Sequence, residues 1–126
     1  MGKLTDAQRA QLRELGKLYR AELPAKLADI AGVAASLRTD GWDSSRLESL
    51  YQLAHKLTGS AAIYGFGALS TAAAEMETWT LSALASAASE ERFRELTARL
   101  EALDRAVSGL KRGGPLAGAG RGGRRP

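Results

Sequence analysis

His55 is the only histidine in this 126-residue chain, and there is no cysteine. A neutral imidazole keeps one ring nitrogen with a free lone pair, so it can act as a nucleophile or as a base. The surrounding segment reads Ala54-His55-Lys56-Leu57-Thr58-Gly59-Ser60-Ala61-Ala62-Ile63-Tyr64-Gly65. On a helix each residue advances about 100°, so Leu47, Leu50, Ala54, Leu57, Ala61 and Tyr64 form one apolar stripe. His55 then lies roughly 130° from the middle of that stripe and points to solvent or to its edge. A base in a catalytic triad would need a partner nucleophile in a pocket, and a small helical protein has no obvious one. One histidine without cysteine also leaves too few ligands for a transition metal, so no metal site is expected.

Gly59 sits one turn beyond His55, on the same side of the helix. Glycine in a helix interior costs about 1 kcal/mol against alanine. The missing Cβ has two uses: a second protein can approach one imidazole nitrogen closely, or another helix of the chain can pack tightly there.

The run His55-Lys56-Leu57-Thr58-Gly59-Ser60-Ala61, followed by Gly65, Leu69 and Met76-Glu77, resembles the histidine-containing phosphotransfer (HPt) domains of two-component phosphorelays over about residues 12–110. Gly59, Ser60, Ala61, Gly65 and Leu69 match the family pattern. Thr58 stands where the family usually has a lysine, and supplies a hydroxyl in place of a charge. The resemblance implies a phosphorelay intermediate. His55 would accept a phosphoryl group from the aspartate of one receiver domain and pass it to another. Lys56, Thr58, Gly59 and Ser60 would shape the site. It implies receiver domains of a hybrid histidine kinase and of a response regulator as partners. It implies no cofactor of its own, with Mg²⁺ held by the partner receiver, and a phosphoryl carrier without catalytic machinery, not an enzyme.

Helical geometry places Glu48, Tyr51, Gln52, His55, Gly59 and Ala62 on one strip, a candidate docking face that Phe66 extends past the corner. The elements that position it are helices. Thr5-Asp6 can cap a first helix carrying Leu12, Leu15, Leu18 and Tyr19. Pro24 removes a hydrogen bond and clashes with the carbonyl of Arg20, which predicts a break near Glu22-Leu23. A second helix carries Leu23, Leu27, Ile30, Ala34 and Leu37, and Thr39-Asp40-Gly41-Trp42-Asp43 reads as a turn. Ser45 and Glu48 form an S-x-x-E capping box for the histidine helix. Gly65 suits a helix C-terminus needing positive φ, and Gly65-Phe66-Gly67 makes a tight corner that brings Phe66 toward the histidine face. Leu69, Ala72, Ala73, Met76, Trp79 and Leu84 mark the next helix. Phe93, Leu96, Leu100, Leu103, Val107 and Leu110 mark the last, ended by Gly113-Gly114-Pro115. The expected fold is all-α: an antiparallel four-helix bundle with an additional N-terminal helix. The bundle domain spans residues 1–112, with its core over about 22–110, and 113–126 form a disordered basic Gly/Arg/Pro tail.

Composition agrees with a helical bundle: 44% apolar, 6% aromatic and three prolines. The net charge is +4. Residues 111–126 hold Lys111, Arg112, Arg121, Arg124 and Arg125 and no acid, so residues 1–110 sum to −1. The basic character thus belongs to the tail, and no nucleic-acid-binding face is expected on the body. The N-terminus has no apolar leader and no window approaches the ~20 apolar residues of a membrane span. A cytoplasmic monomer with no membrane contact is expected. The alternative function is a non-catalytic helical adaptor that docks receivers or binds an acidic partner through its basic tail.

Overall fold

Four helices account for the chain over the residues that the computed structural model describes, 4–117, with side chains described through 110. They are α1 (Asp6–Thr39), α2 (Ser44–Ile63), α3 (Gly67–Leu84) and α4 (Glu90–Ala117). Connections of three to five residues force each helix to run back along the one before it. Arg38 pairs with Glu90 at one end of α1 and α4, and the Arg20 guanidinium donates to the Leu110 carbonyl toward the other. The result is an antiparallel four-helix bundle.

The expected extra N-terminal helix is instead the first half of α1, which passes through Pro24 without a break. Proline in a helix interior costs about 3 kcal/mol. Here Tyr19, Leu23, Ile30, Ala34 and Leu37 form one buried stripe that spans the proline, while Pro24 itself faces outward. Full burial of Leu23 and Ile30 alone yields about 1.5–3 kcal/mol each, enough to hold the helix together across the missing bond. Thr5 and Gln8 close a reciprocal capping box at its start.

The cap of α2 is also displaced from expectation. Asp43, not Ser45, is the N-cap, and its carboxylate accepts the Arg46 backbone N–H at 2.8 Å. Asp43 lies two residues after Gly41, whose φ of 140° turns the chain out of α1, so the helix starts two residues earlier than the S-x-x-E motif suggests. At the other end Gly65 has φ 80°. The Phe66 N–H bonds the Ala61 carbonyl and the Gly65 N–H bonds the Ala62 carbonyl, the paired pattern of a Schellman motif. α4 runs on to Ala117, past the Gly113-Gly114-Pro115 that was expected to stop it. Pro115 lies two residues from the end of α4, so the one bond it cannot donate is in the last turn and no long stretch of helix depends on it. The rest of the expected tail, 118–126, lies outside the described residues.

The core is built from leucines and alanines with Phe66, Met76 and Trp79 among them. Ala54, Ala61, Ala73 and Ala83 have no exposed surface, and this small-residue seam lets α2 and α3 approach closely. The Ser70 hydroxyl donates to the Thr58 carbonyl at 2.9 Å, a direct side-chain bond between these two helices beside the histidine turn.

Candidate functional site

The site begins with the register that the Gly65 corner and the Ser70–Thr58 bond impose on α2 and α3. That register sets Glu77 of α3 opposite His55 and Thr58 of α2. The His55 side chain is 60% exposed, as its place on the helix predicts, while that of Glu77 is 18% exposed. His55 Nδ1 lies 2.9 Å from Glu77 Oε2, and the Thr58 hydroxyl lies 2.9 Å from Glu77 Oε1. The same hydroxyl lies 2.9 Å from the Ala54 carbonyl, so its single proton serves two acceptors. Tyr51, one turn before His55, stacks on the imidazole with ring centroids 5.7 Å apart and planes 13° from parallel.

Partial burial opposes ionisation of Glu77, but the hydrogen bonds from His55 and Thr58, the charge of an imidazolium and the nearby Tyr51 outweigh it. They hold its carboxyl below the usual carboxylate range. An ionised carboxylate only accepts hydrogen bonds, so Nδ1 must carry the proton. In the neutral ring the free lone pair is therefore on Nε2, the nitrogen turned away from Glu77, in a side chain that is mostly exposed. The site pairs a fixed N–H with an outward nucleophilic nitrogen, and the described residues show no group of three or more His, Asp or Glu that could hold a metal.

Of the two uses weighed for Gly59, the structure removes one: a Cβ built there meets nothing within 4 Å. It is not a close helix contact. Glu48, Gln52 and Ala62 are exposed and Tyr51 is half-buried along the same side of α2. Phe66, expected to extend that strip, does not: it is 1% exposed and packs near Tyr19, with ring centroids 5.7 Å apart. The Schellman turn folds the residue after Gly65 back onto the helix, which drives Phe66 inward instead of past the corner. Lys56 and Ser60 are also not at the imidazole. They line a groove between α1 and α2 with Lys26 and Asp29, and Ser60 is hydrogen-bonded to the Tyr19 hydroxyl.

Two parts of the site had no role in the sequence reading. Glu77 stood in the motif, but its function depends on which α3 residue faces His55, and no local signal encodes that. Leu81, one turn beyond Glu77, is 54% exposed and joins Tyr51, Gln52, Glu48 and Leu84 in a shallow groove between α2 and α3 beside the histidine. A large exposed apolar residue at that position was the available clue.

The Hpt domain family model matches residues 14–106. No curated protein and no solved structure matches the chain. A match over most of the chain places it in the Hpt domain family, in agreement with the motif at His55. Hpt domains carry phosphoryl groups in two-component phosphorelays, interact with receiver domains and are generally carriers, not catalysts. No helix among the described residues is long and apolar enough to cross a membrane.

Proposed function

From membership of the Hpt domain family, we propose that this chain is a phosphorelay intermediate whose phosphoryl acceptor is Nε2 of His55. The observation that carries the reading is the hydrogen bond from Nδ1 to Glu77, which leaves the lone pair on the outward nitrogen. In the forward step that lone pair attacks the phosphorus of an aspartyl phosphate on a receiver domain. The N–P bond forms, the acyl phosphate P–O bond breaks, and the aspartate leaves as a carboxylate. The reverse sequence, on a second receiver, passes the group on. Proximity and alignment supply the acceleration on this side of the complex, and the divalent ion, Mg²⁺, belongs to the receiver.

The docking face under this reading comprises Glu48, Tyr51, Gln52, Gly59 and Ala62 of α2, widened onto α3 by Leu81. Its exposed apolar parts border the imidazole, an arrangement suited to a transient partner. Gly59 keeps the approach to the ring clear.

Incubation with a phosphorylated receiver tests this. The chain should acquire label that is labile in acid and stable in alkali, as a phosphoramidate is. His55→Gln should take none while keeping its helical circular dichroism. Label retained by that variant, or its absence from the wild type with every receiver of the source organism, would end the relay reading. The adaptor would then take its place.

A further inference from the structure

We propose that Glu77 keeps the proton on Nδ1 after His55 has been phosphorylated, so that the ring stays cationic and gives its phosphoryl group up quickly. This rests on Nε2 being the acceptor. In the neutral imidazole the proton is on Nδ1 and the lone pair on Nε2. When that lone pair forms the N–P bond, both nitrogens are substituted and the ring carries one positive charge. It becomes neutral only by releasing the Nδ1 proton. The two forms part with phosphorus differently. From the cation, the N–P bond breaks to leave a neutral imidazole. From the neutral form, it would have to leave an imidazolate anion, a far poorer leaving group. The position of one proton therefore sets whether the phosphorylated ring transfers its group or stores it.

The surroundings favour retention of that proton. The Nδ1–H points at Glu77 Oε2 at 2.9 Å. The other oxygen, Oε1, accepts from Thr58, which stabilises the carboxylate anion over the acid and discourages it from taking the proton. Among the described residues no lysine or arginine lies within 4 Å of Glu77, and its one ion-pair partner is His55. Its charge is thus undivided. The groups facing the ring are Tyr51 and Thr58 on its own helix and Glu77 on α3. Lys56 is turned toward the α1–α2 groove with Lys26 and Asp29. Thr58 in place of the family's lysine has a second effect here: it orders the carboxylate without competing for it as a cation would.

Glu77 is in this view a positioning residue, and the test is a titration. His55 is the only histidine, so phosphoramidate, a small chemical donor, can load it without any receiver. The ring of the phosphorylated protein is titrated by ¹⁵N and ³¹P resonance, and the lifetime of the label is followed at pH 7, for the wild type and for Glu77→Gln. The amide still accepts from Nδ1–H but carries no charge. The variant should lose the ring proton at lower pH and hold its label about tenfold longer, the change that one pH unit of midpoint implies. An unchanged midpoint, or a shorter lifetime, overturns the proposal. So does failure of phosphoramidate to load the wild type, because Nε2 would then not be free. A wild type that loads from phosphoramidate and titrates as expected, but accepts nothing from a receiver, upholds this proposal and sinks the relay reading instead.

Discussion

Glu77 and Glu95 are near-equivalent carboxylates put to different ends. Each sits at a seam with α3 and accepts from an aromatic N–H across it: Glu77 on α3 from His55 of α2, and Glu95 on α4 from the Trp79 indole of α3 at 3.1 Å. Each is held below the usual carboxylate range. Glu95 owes this first to the Trp79 hydrogen bond, then to Arg92 and Arg99, against some desolvation. The difference is in the company. Glu95 has the Arg92 guanidinium at 2.9 Å and a donor that is 4% exposed, and its negative charge is answered within the protein. Among the described residues Glu77 has no guanidinium or ammonium partner, and its donor stands in solvent. Hydrogen-bond geometry alone would not separate a clasp from a reactive pair. Charge balance and exposure of the donor do.

The comparison breaks most visibly at the donors. Trp79→Ala should cost about 3–5 kcal/mol in urea unfolding, because it empties a core position against Trp42 as well as freeing Glu95. His55→Ala should change stability by no more than about 0.5 kcal/mol, since its ring packs little. Similar costs for the two would show that the imidazole is structural after all. At the acceptors the roles should invert. Glu77→Ala should slow loading of His55 from a receiver about tenfold, the equivalent of losing one charge-assisted hydrogen bond of roughly 1.4 kcal/mol. Glu95→Ala should leave loading unchanged and lower the melting temperature. Equal loading by the two variants would remove Glu77 from the site.

Acid should act on both pairs in the same direction. Glu77 and Glu95 bind protons less readily folded than unfolded. Their contribution is therefore fully present above the unfolded carboxylate value of 4.5 and is lost as pH falls through the lower folded values. Unfolding midpoints measured downward from pH 5 should decline in the wild type and decline less in the Glu77→Gln, Glu95→Gln double variant. A double variant with the same acid slope would assign acid sensitivity to other carboxylates. The smallest expected effect is that of Thr58→Lys, which gives Glu77 the kind of cation Glu95 already has. Stability should hold within about 0.5 kcal/mol. The phosphorylated form should persist longer, because the amine competes for Glu77 and faces the phosphoryl group. A shorter lifetime would mean that the amine does neither.

Legibility in the sequence followed distance along the chain. The outward aim of His55 and the positive φ of Gly65 were readable, because each depends on one helix turn and a few neighbours, whereas the two uses of Gly59 were separated only by what packs around it. Phe66 was misjudged because the corner was read as extending the strip, whereas the turn's own hydrogen bonds fold it inward. Pro24 was misjudged for the opposite reason: its local penalty is real, but a core stripe on the same helix outweighs it. Glu77 was visible only as a letter in a motif. Its role arises from the pairing of residues 55 and 77 across two helices, which helical periodicity within either one does not specify.

The Schellman turn at Gly65 has a consequence for how the protein comes together. It makes α2 and α3 a hairpin, and all the side chains around the imidazole belong to it, with partners only 19 and 22 residues apart in the chain. Contacts that close short loops form early and cost little entropy. The constellation can therefore assemble before α1 and α4 dock, and it can survive their transient release. In hydrogen exchange the amides of α1 and α4 would open more readily, while those around His55 and Glu77 would wait for a rarer event.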